Sequence, residues 1–309
     1  MIFGASNSLI RRRCLGAVAS LAALLVSGGW ASPVPPDRQS PTKPTVDGPK
    51  QTMILRPVFT FGATDGRTPR AKIRFRCAFD GSPLRPCARI HRPNERLGFG
   101  THTLRVRALD LAGNASRTTS FSFRVVGVWD AAADFERAPR PANPGRDRYG
   151  NTTWFFRYSP PELVHNPAGY EVLPTFWIVV PGWETWVITP NWESATAGFN
   201  NDRIVLQPGK IERRQNPIVE WRSPVSGTFR VHAALELEIG CPEKPLGGVA
   251  WWLDHGSQPL RTGILAPGAT TQFDLTTAVV AGESLYLIIN DNADPRCDTT
   301  AVDLRIETP

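Results

Sequence analysis

Glu236 and Glu238 stand two residues apart in an alternating run, opposite Leu235, Leu237 and Ile239, so both carboxylates would share one strand face. Two carboxyl groups about 5–10 Å apart can cleave a glycosidic bond. A solvated strand face uses the same pattern and is the commoner reading. Asn290-Asp291-Asn292-Ala293-Asp294, followed by Asp298, is a dense set of hard oxygen donors. Calcium takes about six to eight such ligands, so Asp291, Asp294 and Asp298 are the metal candidates. Their spacing is not that of an EF-hand, and Asx-capped turns are the competing reading. No cofactor beyond that structural calcium is expected. The five histidines are scattered, and His232, on the face of Glu236 and Glu238, lies too far along an extended chain to converge on an ion with Glu236. The sequence holds no nucleophile elbow, phosphate loop or zinc motif.

Tryptophan offers a different chemistry. Apart from Trp30, all of the 10 tryptophans lie at or after Trp129. Indole faces stack on the C–H surface of sugar rings. Trp183, Trp186 and Trp192 cluster in a Pro/Gly-containing stretch that reads as loop. Adjacent Trp251 and Trp252 must point to opposite sides of a strand. Ligand contact is therefore expected of Trp183, Trp186, Trp192 and Trp252, and core packing of Trp154, Trp177 and Trp221.

Of the 5 cysteines, Cys14 sits near the N-terminus, Cys77 and Cys87 lie close together, and Cys241 and Cys297 share a later region. Four cysteines in an exported chain argue for disulfides. Cys77–Cys87 would contribute about 3 kcal/mol in the chain-entropy model, and Cys241–Cys297 about 4 kcal/mol. Export is read from Arg11-Arg12-Arg13, the apolar run Leu15–Val26, and the small residues at Gly29 and Ala31. Residues 1–31 are thus expected to be a signal peptide and the protein to be secreted. The run is shorter than the ~20 residues that span a bilayer, so no membrane span is expected. Residues 32–52, rich in Pro, Ser and Thr, read as a disordered lead-in.

Charge divides the remainder. Ile54–Val126 carries 14 basic and 4 acidic residues, and Gly127–Pro309 carries 15 basic and 22 acidic. Partners and solubility, more than fold, follow from such a split.

The elements that would position these groups are strands. Lys72–Phe79 alternates Ile73, Phe75, Cys77 and Phe79 with Lys72, Arg74 and Arg76. Thr103–Ala108 and Phe121–Val125 alternate likewise. Lys72, Arg74, Arg76, Arg105, Arg107 and Arg124 would then form one cationic face. Solvation alone explains such a face. The sharper expectation is contact with an anionic envelope polymer or with the acidic region, and nucleic acid is not expected of an exported chain. Asp110–Asn114 reads as a hairpin turn with Gly113 or Asn114 at positive φ. Beyond Gly127, strands are expected at Thr153–Tyr158, Thr175–Val180, Thr185–Ile188, Ile218–Trp221, Thr228–Ile239, Val249–Leu253, Thr271–Leu275, Leu285–Ile289 and Ala301–Ile306. No stretch shows a 3.6-residue period, so an all-β chain of two sandwiches follows.

Two resemblances fit that reading. Phe75-Arg-Cys77-x-x-Asp80-Gly81, Cys87, and then Gly100-x-His102-x-Leu-x-Val106-Arg107-Ala108-x-Asp110-x-Ala-Gly113-Asn114 resembles the immunoglobulin-like repeat of secreted bacterial proteins. The likeness covers about 53–126 and implies a spacer or adhesion module with no catalytic site. Ala133-Asp134-Phe135, Asn143-Pro144, Trp154–Tyr158, Gln207-Pro208-Gly209, Val219-Glu-Trp221 with Gly227-x-Phe229, Ala281-Gly282-Glu283, and Asp298–Ile306 resemble, in that order, a galactose-binding-like jelly roll over 127–309. That likeness implies a carbohydrate-binding domain, with insertions at 159–169 and 170–201. The expectation is a secreted, non-catalytic glycan-binding or cell-surface protein. Its alternatives are a structural or protein-adhesion spacer and a polysaccharide-active jelly-roll enzyme.

Overall fold

The computed structural model describes residues 35–136, 142–174, 186–188, 194–200, 203–209, 214–238, 247–292 and 298–309. The expected signal peptide, the Thr175–Val180 strand, Trp177, Trp183, Trp192, Asp294, and the pair Cys241 and Cys297 lie outside these residues.

The first sandwich is built from β1 (Thr45–Asp47), β2 (Gln51–Thr52), β3 (Phe59–Gly62), β4 (Arg74–Phe79), β5 (Arg85–Cys87), β6 (Ile90–His91), β7 (Gly100–Leu109) and β8 (Thr119–Val125). A three-stranded sheet, β1-β3-β6, faces a five-stranded one, β2-β8-β7-β4-β5. Alternation does what the sequence predicts: Phe75, Cys77, Leu104, Val106, Phe123 and Val125 turn inward and meet Phe59 and Phe61 of the smaller sheet. Cys77 and Cys87 are bonded across the β4–β5 hairpin. The Asp110–Asn114 turn forms as expected. Its main chain closes at 3.1 Å, the Asp110 carboxylate accepts from the Asn114 amide at 2.7 Å, and Gly113 takes φ +93°, a region that glycine enters freely.

Two expectations fail here. From residue 35 onward the lead-in is ordered onto the sandwich: β1 pairs with β3, and β2 pairs in parallel with β8. Main-chain bonds hold it, among them Thr42 N to Thr64 O at 2.8 Å and Val126 N to Thr52 O at 2.9 Å. Short edge strands gain from such bonds without large apolar side chains. Lys72 belongs to no strand; it closes a 3-10 turn, Arg70–Lys72, that follows Pro69, so it leaves the cationic strand face to the five arginines.

The second sandwich opens with β9 (Val128–Asp130), α1 (Ala131–Glu136), β10 (Gly145–Arg146), β11 (Thr152–Ser159), β12 (Glu171–Val172), β13 (Trp186–Ile188), β14 (Thr196–Asn200) and β15 (Arg203–Gln207). It continues with β16 (Asn216–Arg222), β17 (Gly227–Leu237), β18 (Val249–His255), β19 (Gln258–Leu265), β20 (Thr270–Val279), β21 (Ser284–Asn290) and β22 (Thr300–Glu307). One seven-stranded sheet runs β10-β11-β16-β21-β18-β19, with β12 also on β11. The other runs β13-β14-β15-β22-β17-β20, with β9 on β22. The chain crosses repeatedly between these sheets, as a jelly roll does. Trp154, Trp221, Leu287 and Leu253 on one inner face meet Phe229, Val231, Leu235 and Leu304 on the other. Trp154 and Trp221 are core residues, as expected.

Trp129 fills the junction. It is fully buried and meets Phe99 of the first sandwich edge-on at 5.3 Å. Its indole N–H donates to Asp147 at 2.9 Å. Arg96 of the first sandwich donates to the Tyr149 carbonyl at 3.0 Å. Gly127 and Thr308 bond to each other twice, each at 2.9 Å.

Candidate functional site

The charged residues that matter most sit on the outer face of the β11-β16-β21-β18 sheet. Strand register aligns Phe155, Glu220, Tyr286 and Asp254 in one row across four neighbouring strands. With strands about 4.8 Å apart, the Glu220 and Asp254 backbones are about 10 Å apart.

Glu220 is fully buried. One oxygen accepts from Ser284 Oγ at 2.7 Å and from Arg222 Nη2 at 3.0 Å, and the other accepts from Arg157 Nε. The Arg222 and Arg157 guanidinium groups lie 4.3 and 5.3 Å from the centre of the Phe155 ring. A buried charge is tolerable only when paired and hydrogen-bonded in this way.

Asp254 is also fully buried. Its Oδ2 meets His165 Nδ1 at 2.8 Å, while Oδ1 has no hydrogen-bond partner among the described residues. Burial pushes the Asp254 pKa up, against the pull of His165. His165 takes φ +66°, a left-handed conformation uncommon for a residue with a side chain. It meets Trp252 edge-on at 5.6 Å. The segment 160–170 that carries His165 is shaped by prolines, which open 3-10 turns at Pro161–Leu163 and Pro167–Gly169. Gly169 lets the turns close, because a Cβ there would stand 2.5 Å from Leu163. Tyr170 and Val164 then cover Ile218 and Ile288. Burial raises the pKa of both Tyr170 and Tyr286.

Beside this row lies an open cleft of about 790 Å³, with Arg222, His255, Gln258, Glu283, Ser284 and Tyr286 in its lining. Glu283 accepts from the Val280 amide at 2.8 Å and pairs with His255 at 3.0 Å. The first of these bonds, and then His255, hold the Glu283 pKa below its ordinary value. The cleft is therefore lined by an imidazole, a carboxylate, an amide and a phenol, with the Arg222 guanidinium and Ser284 hydroxyl already engaged by Glu220. Hydroxyl groups and a ring C–H surface would both find partners there. Glu220 is closed off by its own donors, and Asp254 is buried and paired with His165.

Those residues expected from sequence that the structure describes are dispersed. Trp252 is half-buried on the outer face beside His165. Trp186 lies on the opposite sheet, where its backbone pairs with Phe199. Glu236 lies beside Arg203 at 2.5 Å, and burial, followed by Glu236, raises the Glu238 pKa. Both acids lie on the outer side of the other sheet. His232 pairs with Asp274 at 3.2 Å. Asp291, one of the calcium candidates, accepts from Arg214 through two bonds of 2.9 and 3.0 Å. Asp298 is buried. The described carboxylates nearest to a metal-binding arrangement are Asp37, Asp65 and Asp110, with one oxygen of each within 4.8 Å of the others. Backbone amides of Arg67, Thr68 and Asn114 already engage Asp65 and Asp110.

The cleft residues share no local motif, because separate strands and turns supply them. A signal was present only for the buried pair beside the cleft: Glu220 interrupts Ile218-Val219-Glu220-Trp221, and Arg157 interrupts Trp154–Tyr158. A charge inside a fully apolar strand marks a buried pair.

No protein-family model matches the chain, and no curated protein does. Several solved structures are similar at low scores. The CBM51-2 and INT domains of Clostridium perfringens ZmpB, in complex with GlcNAc, are 12% identical with a TM-score of 0.29, over 86% of this chain and 48% of that one. The chain thus spans about half the length of that fragment. A carbohydrate-binding module of the β-sandwich superfamily is 8% identical, with a TM-score of 0.26, over 88% and 93% of the two chains. Pika GITRL, at 8% identity and a TM-score of 0.21, covers 50% of this chain and 99% of its own. Likenesses of this strength fix neither family nor ligand. Among the described residues no helix is long and apolar enough to cross a membrane.

Proposed function

We propose that this chain is a secreted, non-catalytic glycan-binding protein whose second sandwich holds a saccharide in the cleft beside Tyr286. The observation that carries this reading is the lining of the cleft: Arg222, His255, Gln258 and Glu283 line one open cleft together with Tyr286. Sugars are bound in this way, by hydrogen bonds to hydroxyls and by a ring under their C–H face. The Cys77–Cys87 disulfide supports an oxidising compartment, in keeping with the signal-like N-terminus. The order of motifs that resembles a galactose-binding-like jelly roll points the same way.

A glycan array with the full chain, followed by calorimetry on each hit, tests the proposal. Tyr286→Ala and Gln258→Ala should each weaken a hit by about tenfold or more; Gln258→Ala should leave thermal stability within a few degrees, whereas Tyr286→Ala also loses the packing of its ring on Tyr170. If both variants bind as the parent does while Trp183→Ala and Trp186→Ala abolish binding, the sugar sits at the tryptophan segment and the cleft assignment is wrong. An array without any hit would leave the spacer reading, and turnover of a bound sugar would make the chain an enzyme.

A further inference from the structure

The outer face of the five-stranded sheet carries charge that nothing in the described structure neutralises. Arg76 on β4 stands directly opposite Arg107 on β7. Like charges in such a pair repel. Arg105 stands opposite Ser120, and Arg124 stands opposite Thr101. Among the described residues, no arginine between Arg56 and Arg124 forms an ion pair with a carboxylate; the lone acid–base contact of this sandwich is His102 with Asp80. The guanidinium groups that are engaged end on main-chain carbonyls: Arg74 on Asp110 at 3.2 Å, Arg105 on Ser82 at 2.6 Å, and Arg107 on Ser116 at 2.8 Å. A carbonyl orients a guanidinium and leaves its net charge intact.

The stripe has length and direction. Six residues of β7 separate Arg107 from Thr101, about 20 Å of strand. At its far end Arg124 also lines a groove of about 390 Å³ between the sandwiches, together with Gln51, Arg230 and Arg305. There Arg230 and Arg305 share a single acid, Glu307, at 3.7 and 3.3 Å. Between the arginines the face offers Thr101, Thr103, Ser120 and Ser122, which supply hydroxyls. Phe121 lies under Lys50, with the ammonium 3.9 Å from the ring centre. Single-stranded nucleic acid is held on aromatic platforms, and this face presents none.

We propose that this arginine stripe docks a linear polysaccharide that carries carboxylates, running from Arg76 and Arg107 to Arg124 and the junction groove. Arginine forks suit carboxylates, and the intervening hydroxyls suit a polymer rich in its own. The site is separate from the cleft beside Tyr286 and does not depend on it.

Affinity electrophoresis of the full chain in gels containing polygalacturonate, or its methyl ester, tests this. The parent should be retarded by the acid polymer and not by the ester. Retardation should vanish near 1 M salt, where the Debye length is about 3 Å. Arg76→Ser with Arg107→Ser should weaken binding about tenfold or more. Should the double variant unfold, Arg76→Glu, at an exposed position, should weaken binding in the same direction. Equal retardation of parent and variants, equal retardation by the ester, or retention by polyphosphate alone would overturn the proposal. So would salt-sensitive self-association of the parent, lost in the variants, with no binding of polygalacturonate; the acidic region of a second copy would then be the occupant.

Discussion

In the first sandwich Arg74, Arg105 and Arg107 end on main-chain carbonyls, whereas in the second Arg157, Arg214 and Arg222 end on carboxylates. The two regions carry nearly equal numbers of basic residues, 14 and 15. Their difference is in what those residues meet. Where acids are buried, as Glu220 and Asp291 are, arginine is used to make burial tolerable. Where acids are scarce, arginine is left to face solvent. Net charge alone would have described both regions and explained neither.

The sharpest way to break the comparison is at Glu220. Glu220→Ala leaves Arg157, whose side chain is 16% exposed, without its partner. Removing one member of a buried pair costs about 3–5 kcal/mol, which urea unfolding would detect. A loss below about 1 kcal/mol would mean that this pair behaves like a surface one. Next in size is Cys77→Ser with Cys87→Ser. The first sandwich has no buried ion pair among its described residues, and it should lose about 3 kcal/mol. Calorimetry should show the unfolding transition of that sandwich moving down.

Asp254 gives a pH-dependent test. Burial raises its pKa above the ordinary 3.8, so the native chain keeps this proton to higher pH than the unfolded chain does. Its contribution is favourable at low pH and is lost as pH rises from 3.8 through the raised value. Asp254→Asn should flatten that decline; parallel stability curves for parent and variant would refute the burial account. The smallest effect is expected on the arginine stripe. Arg76→Ser should alter stability by no more than about 0.5 kcal/mol, with a slight gain from relieved repulsion. A clear loss in the melting curve would mean that Arg76 has a structural partner.

Much of the architecture was legible in alternation. Phe75, Cys77, Leu104 and Val106 declared their inward face, and Arg74, Arg76 and Arg107 declared the other. The edge strands Thr45–Asp47 and Gln51–Thr52 were not legible, because backbone bonds to β3 and β8 hold them and composition does not register such bonds. Arg203–Gln207 and Gln258–Leu265 were also missed. The second is an edge strand with an exposed, mixed pattern, so it lacks a clean period of two. The cleft was illegible for a different reason. Arg222, His255 and Tyr286 come from three strands, and no local motif records that their ends meet.

The paired contact of Gly127 with Thr308, one bond to the Thr308 hydroxyl and one between main chains, has a mechanical consequence. β9 and β22 are antiparallel, with Val128 opposite Glu307 and Trp129 opposite Ile306. The chain enters and leaves the second sandwich at the same end of that pair. Tension applied between Val126 and Pro309 would therefore not shear the sandwich along its strands. It would peel β9 from β22 one bonded pair at a time, beginning at Gly127–Thr308, a low-force path that ends at the buried indole of Trp129.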